Sequence, residues 1–111
     1  MGAITTHILD TTRGRPAQNV VVELEFEADG WHSVGTGTTN SDGRVQGLLA
    51  QGTLREGTYR LRFLVDSYFS NLGTKAFYPY VEIVFQVLAT DEHYHVPLLL
   101  NPYGYSTYRG S

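Results

Sequence analysis

Val20-Val21-Val22-Glu23-Leu24-Glu25-Phe26-Glu27 alternates with period two. Val20, Val22, Leu24 and Phe26 share one face, and Glu23, Glu25 and Glu27 share the other. Side chains of a strand point to opposite sides in turn, so this pattern predicts a strand with a core side and a wet side. The pattern recurs over Thr58–Val65, with Tyr59, Leu61, Phe63 and Val65 inward and Arg60 and Arg62 outward. It recurs again over Val81–Val87 through Val81, Ile83, Phe85 and Val87. Shorter strands are expected at Ile4–Leu9, Trp31–Thr38, Arg44–Leu48, Tyr94–Leu100 and Tyr103–Arg109.

Turn signals separate these runs at Gly14-Arg15-Pro16, Asp29-Gly30, Asp42-Gly43, Glu56-Gly57 and Asn101-Pro102. One helix is expected, Asp66–Leu72, capped by Asp66 or Ser67 and ended by Gly73. About eight strands at this spacing predict an all-β, antiparallel, two-sheet β-sandwich with one short helix, formed by a single domain over 1–111.

Composition narrows the function classes. The 111 residues are 41% hydrophobic and 17% charged, as in an ordinary globular domain. A formal charge of −3 and the lack of a basic cluster argue against a nucleic-acid partner. With no cysteine, thiolate catalysis, disulfides and cysteine-ligated metal are excluded. No apolar run is long enough to span a bilayer, no secretory signal pattern is present, and Arg109-Gly110-Ser111 is not a peroxisomal tripeptide, so a cytoplasmic protein without a membrane partner is expected. Met1-Gly2-Ala3-Ile4-Thr5-Thr6 fits the short N-myristoylation pattern, but its continuation reads as a strand.

The candidate functional groups are polar residues that neither alternation nor turn chemistry explains. His7 lies in Ile4-Thr5-Thr6-His7-Ile8-Leu9-Asp10, whose apolar residues do not sort cleanly between faces. Read alone, it is either a hydrogen-bonded structural histidine or a reactive one. His93 and His95 share a face with Pro97 and Leu99, opposite the core face of Tyr94, Val96, Leu98 and Leu100. Such a pair can bind zinc, yet a third ligand would have to come from His7 or a carboxylate, so no metal is expected. Arg44 follows the Asp42-Gly43 turn, either as a solvated hairpin flank or as a bidentate clamp for a carbonyl-rich or anionic ligand. Tyr108 and Arg109 read either as edge-strand decoration or as a pocket wall. The residues alone leave these alternatives open.

Four segments together resemble the transthyretin-like 5-hydroxyisourate hydrolases. They are Thr6-His7-Ile8-Leu9-Asp10 with Gly14-Arg15-Pro16-Ala17; Asn40-Ser41-Asp42-Gly43-Arg44; Phe77-Tyr78-Pro79; and His93-Tyr94-His95-Val96-Pro97-Leu98-Leu99 running through to Tyr108-Arg109-Gly110-Ser111. The resemblance covers nearly the whole chain in order, and the closing tetrapeptide is its most specific mark. Transthyretin itself lacks that ending and the histidine set.

The resemblance implies a transthyretin-like fold and a cofactor-free hydrolase of urate breakdown. It would convert 5-hydroxyisourate to 2-oxo-4-hydroxy-4-carboxy-5-ureidoimidazoline as a homotetramer with sites between dimers. It implies catalytic roles for His7, Arg44 and His95, and substrate contacts from His7, Arg44, Tyr108, Arg109, Gly110 and Ser111. In such a site one histidine would activate water while the other binds or donates to the ring, and Arg44 would stabilise charge on the attacked oxygen. The competing expectation is a transthyretin-type carrier of a small aromatic ligand without turnover. A third, an adhesion or carbohydrate-binding sandwich, would expose aromatics on loops, whereas most here fall in strands.

Overall fold

The computed structural model describes residues 2–111. Eight strands, β1 (Ile4–Asp10), β2 (Arg15–Pro16), β3 (Val21–Glu27), β4 (Trp31–Thr38), β5 (Gly57–Leu64), β6 (Val81–Val87), β7 (Tyr94–Asn101) and β8 (Gly104–Thr107), accompany one helix, α1 (Asp66–Asn71). They form two four-stranded sheets, ordered β2-β1-β7-β8 and β4-β3-β5-β6. Val22, Leu24, Tyr59, Leu61, Phe63 and Val81 from one sheet, inward as expected, face Val96, Leu98 and Leu100 from the other, joined by Ile4 and Ile8 of β1, whose segment shows no clean alternation. On the outer face of the second sheet, Arg60 pairs with Glu25 at 2.8 Å, and Arg62 with Glu82 at 2.7 Å. The glutamates of the opening alternation thus meet cross-strand partners of opposite charge.

The all-β two-sheet sandwich with one short helix is as expected, and several details within it differ. The sandwich is not wholly antiparallel, because β1 and β7 pair in parallel, from Ile4↔Tyr94 to Asp10↔Leu100. Parallel partners are distant in sequence, and alternation carries no information about strand direction. Arg44–Leu48 is not a strand: only Arg44 makes an isolated bridge, to His7. Gly43 (φ 74°) and Gly47 (φ 65°) take left-handed conformations that interrupt extension at either side. Val45, Leu48 and Leu49 instead bury themselves against the sandwich. The glycines of β4 permit this, since a Cβ on Gly35 would collide with the Leu48 carbonyl and one on Gly37 with the Val45 side chain.

The short strand β2 stands where only a turn was expected; it pairs with Leu9 and Asp10. Finally, neither Asp66 nor Ser67 caps the helix, whose N-cap is Val65 with no side-chain cap. Gly73 does close it at φ 70°, with the Thr74 N–H donating to the Phe69 carbonyl (3.0 Å) and the Gly73 N–H to that of Ser70 (3.0 Å). Strand β8 is also shorter than Tyr103–Arg109. The acylation pattern begins at Met1, which lies outside the described residues, and no helix among the described residues is long and apolar enough to cross a membrane.

The buried Asp10 carboxylate ties these parts together. It accepts hydrogen bonds from the Thr12 and Arg13 N–H groups (both 3.1 Å) and from the Tyr68 hydroxyl (2.6 Å), which joins α1 to the end of β1. The 40–44 turn is seated with equal economy. The Asn40 Oδ1 accepts from the N–H of Asp42 (2.9 Å) and Arg44 (3.1 Å), and the Ile8 N–H donates to the Gly43 carbonyl (2.9 Å).

A Cβ at Gly43 would stand 2.5 Å from the Ile8 carbonyl oxygen, on a residue already at positive φ. We therefore expect Gly43→Ala to cost at least about 2 kcal/mol of unfolding free energy from strain and overlap together. Urea unfolding measures it, and a loss below about 0.5 kcal/mol would contradict this reading of the turn.

Candidate active site

Parallel pairing of β1 with β7 sets Thr5 opposite His95 and His7 opposite Pro97 on the outer face of the first sheet. Beside this face lies an open cavity of about 800 Å³, whose walls include Thr5, Arg44, Gln46, His93, His95 and Ser111. Thus Arg44 and His95, far apart in sequence, face one space. His7 adjoins it through its backbone bridge to Arg44. The residues between, 45–51, supply the opposite wall through Gln46, Leu49, Ala50 and Gln51.

The His95 side chain is held from two sides. Its Nδ1 lies 2.8 Å from Thr5 Oγ1, and that hydroxyl is also 2.8 Å from His93 Nε2. Behind it, the Gly110 N–H donates to the His95 carbonyl at 2.8 Å. A Cβ at Gly110 would come within 2.6 Å of the imidazole Cδ2, so only glycine allows this close approach. Gly110 therefore acts as a backstop for the ring, while Ser111 reaches the cavity wall.

Tyr108 and Arg109 are placed elsewhere. They line a separate depression with Ile83, Val84, Phe85, Tyr94 and Val96. The Arg109 guanidinium stacks 4.6 Å from the Tyr94 ring centre and donates to Glu92 at 2.9 Å. Within one chain, then, the structure gathers His7, Arg44, His95, Gly110 and Ser111, and leaves Tyr108 and Arg109 apart. Thr5 was not singled out in the sequence, and His93 only as a neighbour of His95. The Thr5 contact depends on the parallel register, for which the sequence carries no signal.

Electrostatics set both imidazoles, of His7 and His95, toward the neutral form. The pKa of His95 is lowered from its ordinary value of 6.5, first by burial and then by the positive charges of Arg44, His93 and His7, with a backbone hydrogen bond at Thr5 opposing. That of His7 is lowered by burial and then by Arg44, opposed by a backbone hydrogen bond and the carboxylate at Asp42. Arg44 is exposed and forms no ion pair among the described residues. A neutral imidazole beside a free guanidinium can accept a proton from water while the cation holds negative charge on an oxygen. No group of three His, Asp or Glu side chains converges among the described residues in a way that would hold a metal.

Residues 4–110 match the model of the HIUase/Transthyretin family. The chain belongs to that family. Among family relatives, the "5-hydroxyisourate hydrolase 2" of Rhizobium meliloti (strain 1021) is 50% identical over 116 residues, covering 99% of this chain and 97% of the relative. The solved Klebsiella pneumoniae 5-hydroxyisourate hydrolase is 34% identical, with a TM-score of 0.87 over all of this chain and 94% of its own. Sea bream transthyretin, solved in complex with thyroxine, superposes with a TM-score of 0.91 at 31% identity, covering 98% and 95%. One fold therefore serves both a 5-hydroxyisourate hydrolase and a transthyretin solved with thyroxine, so function must be argued from the residues in the cavity.

Since burial and Arg44 both disfavour the charged rings, His7 and His95 should titrate below 6.5, and Arg44→Gln should move both midpoints upward. Histidine-resolved NMR titration measures this. Unchanged midpoints in the variant would remove Arg44 from the electrostatics of the site.

Proposed function

We propose that this protein hydrolyses 5-hydroxyisourate, opening a cyclic amide without a metal or organic cofactor. The observation that carries this reading is that Arg44 and His95 line one cavity, with His7 bridged to Arg44 beside it, in a family whose members include named 5-hydroxyisourate hydrolases. A carrier of aromatic ligands needs no neutral base beside an unpaired cation.

The chemistry follows from the groups present. One imidazole takes a proton from water as the water oxygen bonds to the amide carbonyl carbon, and the carbonyl electron pair moves onto its oxygen. Arg44 stabilises that oxyanion and orients the carbonyl-rich ring. The second imidazole donates to the ring, and collapse of the adduct breaks the C–N bond, with the departing nitrogen receiving a proton. The product on this reading is 2-oxo-4-hydroxy-4-carboxy-5-ureidoimidazoline. Because His7 and His95 are neutral above 6.5, the rate should fall as pH drops through their lowered pKa values.

The working unit on this reading is a homotetramer of single-domain 1–111 chains, acting in the cytoplasm, with sites between dimers. Support comes from the sheet edges: β6 and β8 are both edge strands, and Val84, Leu88, Tyr103 and Tyr108 nearby are exposed apolar or aromatic residues. Unpaired edges with exposed apolar surface favour association with another copy. In such an assembly Tyr108 and Arg109 would reach a site from a neighbouring subunit.

Freshly generated 5-hydroxyisourate should disappear faster with protein than without. His95→Ala and Arg44→Ala should each slow that loss by more than about tenfold, roughly 1.4 kcal/mol of barrier. No acceleration by the wild-type protein would favour the carrier reading, and two variants of near-wild-type rate would overturn the assigned roles. Sedimentation at micromolar concentration should give a tetramer; a monomer that turns over substrate would remove the shared site.

A further inference from the structure

The hydroxyl of Thr5 lies between two ring nitrogens, 2.8 Å from His93 Nε2 and 2.8 Å from His95 Nδ1. A threonine hydroxyl has one proton to donate and two lone pairs to accept with. It can therefore satisfy only one bare nitrogen, so at least one of the two facing nitrogens must carry a proton. The protonation patterns of the two rings are coupled through a single oxygen.

We propose that Thr5 is a positioning residue that holds His95 in the Nδ1–H tautomer. His95 Nδ1–H donates to Thr5 Oγ1, and Thr5 Oγ1–H donates to His93 Nε2. That direction leaves His95 Nε2 bare. Three observations favour it over the reverse. Thr5 occupies Nδ1, so Nε2 is the nitrogen left for the cavity that His95 lines. The Gly110 backbone packs so close to the ring that a Cβ there would meet its Cδ2 at 2.6 Å, which crowds that side of the imidazole. Arg44 lines the same cavity, and a lone pair beside a guanidinium is favoured over an N–H beside one. The charged and titratable groups around His95 are Arg44 from the turn, His93 from its own segment and His7 from β1.

The catalytic consequence rests on the hydrolytic reading above. Neutral His95 takes a proton from water only at a bare Nε2; the water O–H bond breaks, an Nε2–H bond forms, and the water oxygen joins the carbonyl carbon. Through this step Nδ1–H continues to donate to Thr5, and His93 Nε2 continues to accept from it. Thr5 and His93 act on the reaction only through His95.

The test has a spectroscopic and a kinetic arm. In protein labelled with ¹⁵N-histidine above pH 6.5, His95 should show a protonated Nδ1 and an unprotonated Nε2. Thr5→Val, which keeps the shape and removes the hydroxyl, should lose that preference. It should lower kcat by about 10- to 100-fold while KM changes by less than about threefold. Thr5→Ser restores the hydroxyl and should recover the tautomer and most of kcat.

A proton on His95 Nε2 in the wild-type protein would overturn the proposal without any variant, so poor folding of Thr5→Val cannot shelter it. A wild-type kcat in Thr5→Val, or a serine variant as slow as the valine one, would also overturn it. If the wild-type protein does not hydrolyse 5-hydroxyisourate, the functional reading falls and the ring spectrum alone decides the role of Thr5.

Discussion

The parallel pairing of β1 with β7 is the constraint on which the rest of the molecule depends. Its seven matched positions, Ile4↔Tyr94 to Asp10↔Leu100, send Ile4, Ile8, Leu98 and Leu100 into the core while Thr5, His7 and His95 take the other face. Parallel partners in register point the same way, so a slip of one residue would exchange the two sets and bury the imidazoles. The Tyr94 N–H donating to the Ala3 carbonyl at one end and the buried Asp10 carboxylate at the other pin that register. Core formation and site assembly are thus two faces of one strand pair.

The second ingredient is close backbone approach, which glycines make possible at three places. Gly35 and Gly37 leave room on β4 for the 45–48 segment, which carries Arg44 at its entrance. Gly43 turns the chain so tightly that its carbonyl accepts from the Ile8 N–H next to His7. Gly110 lets the chain after β8 fold back against the His95 ring. At each, a side chain would collide with the segment that packs there: Leu48 and Val45, Ile8, or His95. These positions are therefore expected to trade little between stability and function, since one clash damages both.

Charge is distributed unequally between the two sheets. On the outer face of the second sheet, Arg60 and Arg62 are matched by Glu23, Glu25 and Glu82. By the cavity on the first sheet, Arg44 has no such partner among the described residues, and its field falls on His7 and His95. An unpaired cation beside half-buried imidazoles keeps those rings basic in form yet uncharged. That arrangement suits a step in which negative charge appears on oxygen and a proton must go elsewhere.

Much of this was legible in the sequence. Period-two alternation located β3, β5 and β6 with their correct inward faces, because burial of one strand face leaves a local mark. The resemblance carried by Thr6–Asp10, Asn40–Arg44 and His93–Ser111 pointed to the family; of the site residues it implied, Arg44, His95 and Ser111 line the cavity, while Tyr108 and Arg109 do not. Less was legible in Arg44–Leu48, whose alternation suggested a strand although left-handed Gly43 and Gly47 make it a packed loop. The helix cap also differed: Val65 takes the N-cap position with no side-chain cap, and the helix is tied down by the Tyr68 hydroxyl on Asp10.

By itself the sequence determined the sandwich class, the core faces and the chemical types available to a site, since each depends on local pattern or composition. Only the tertiary structure decided that β1 runs parallel to β7, that Thr5 joins His93 to His95, and that Tyr108 and Arg109 lie apart from them within one chain. Those outcomes depend on strand direction and register between segments some 90 residues apart (Thr5 and His95 differ by 90 positions). No local pattern encodes them, because direction is chosen by the packing of the whole core.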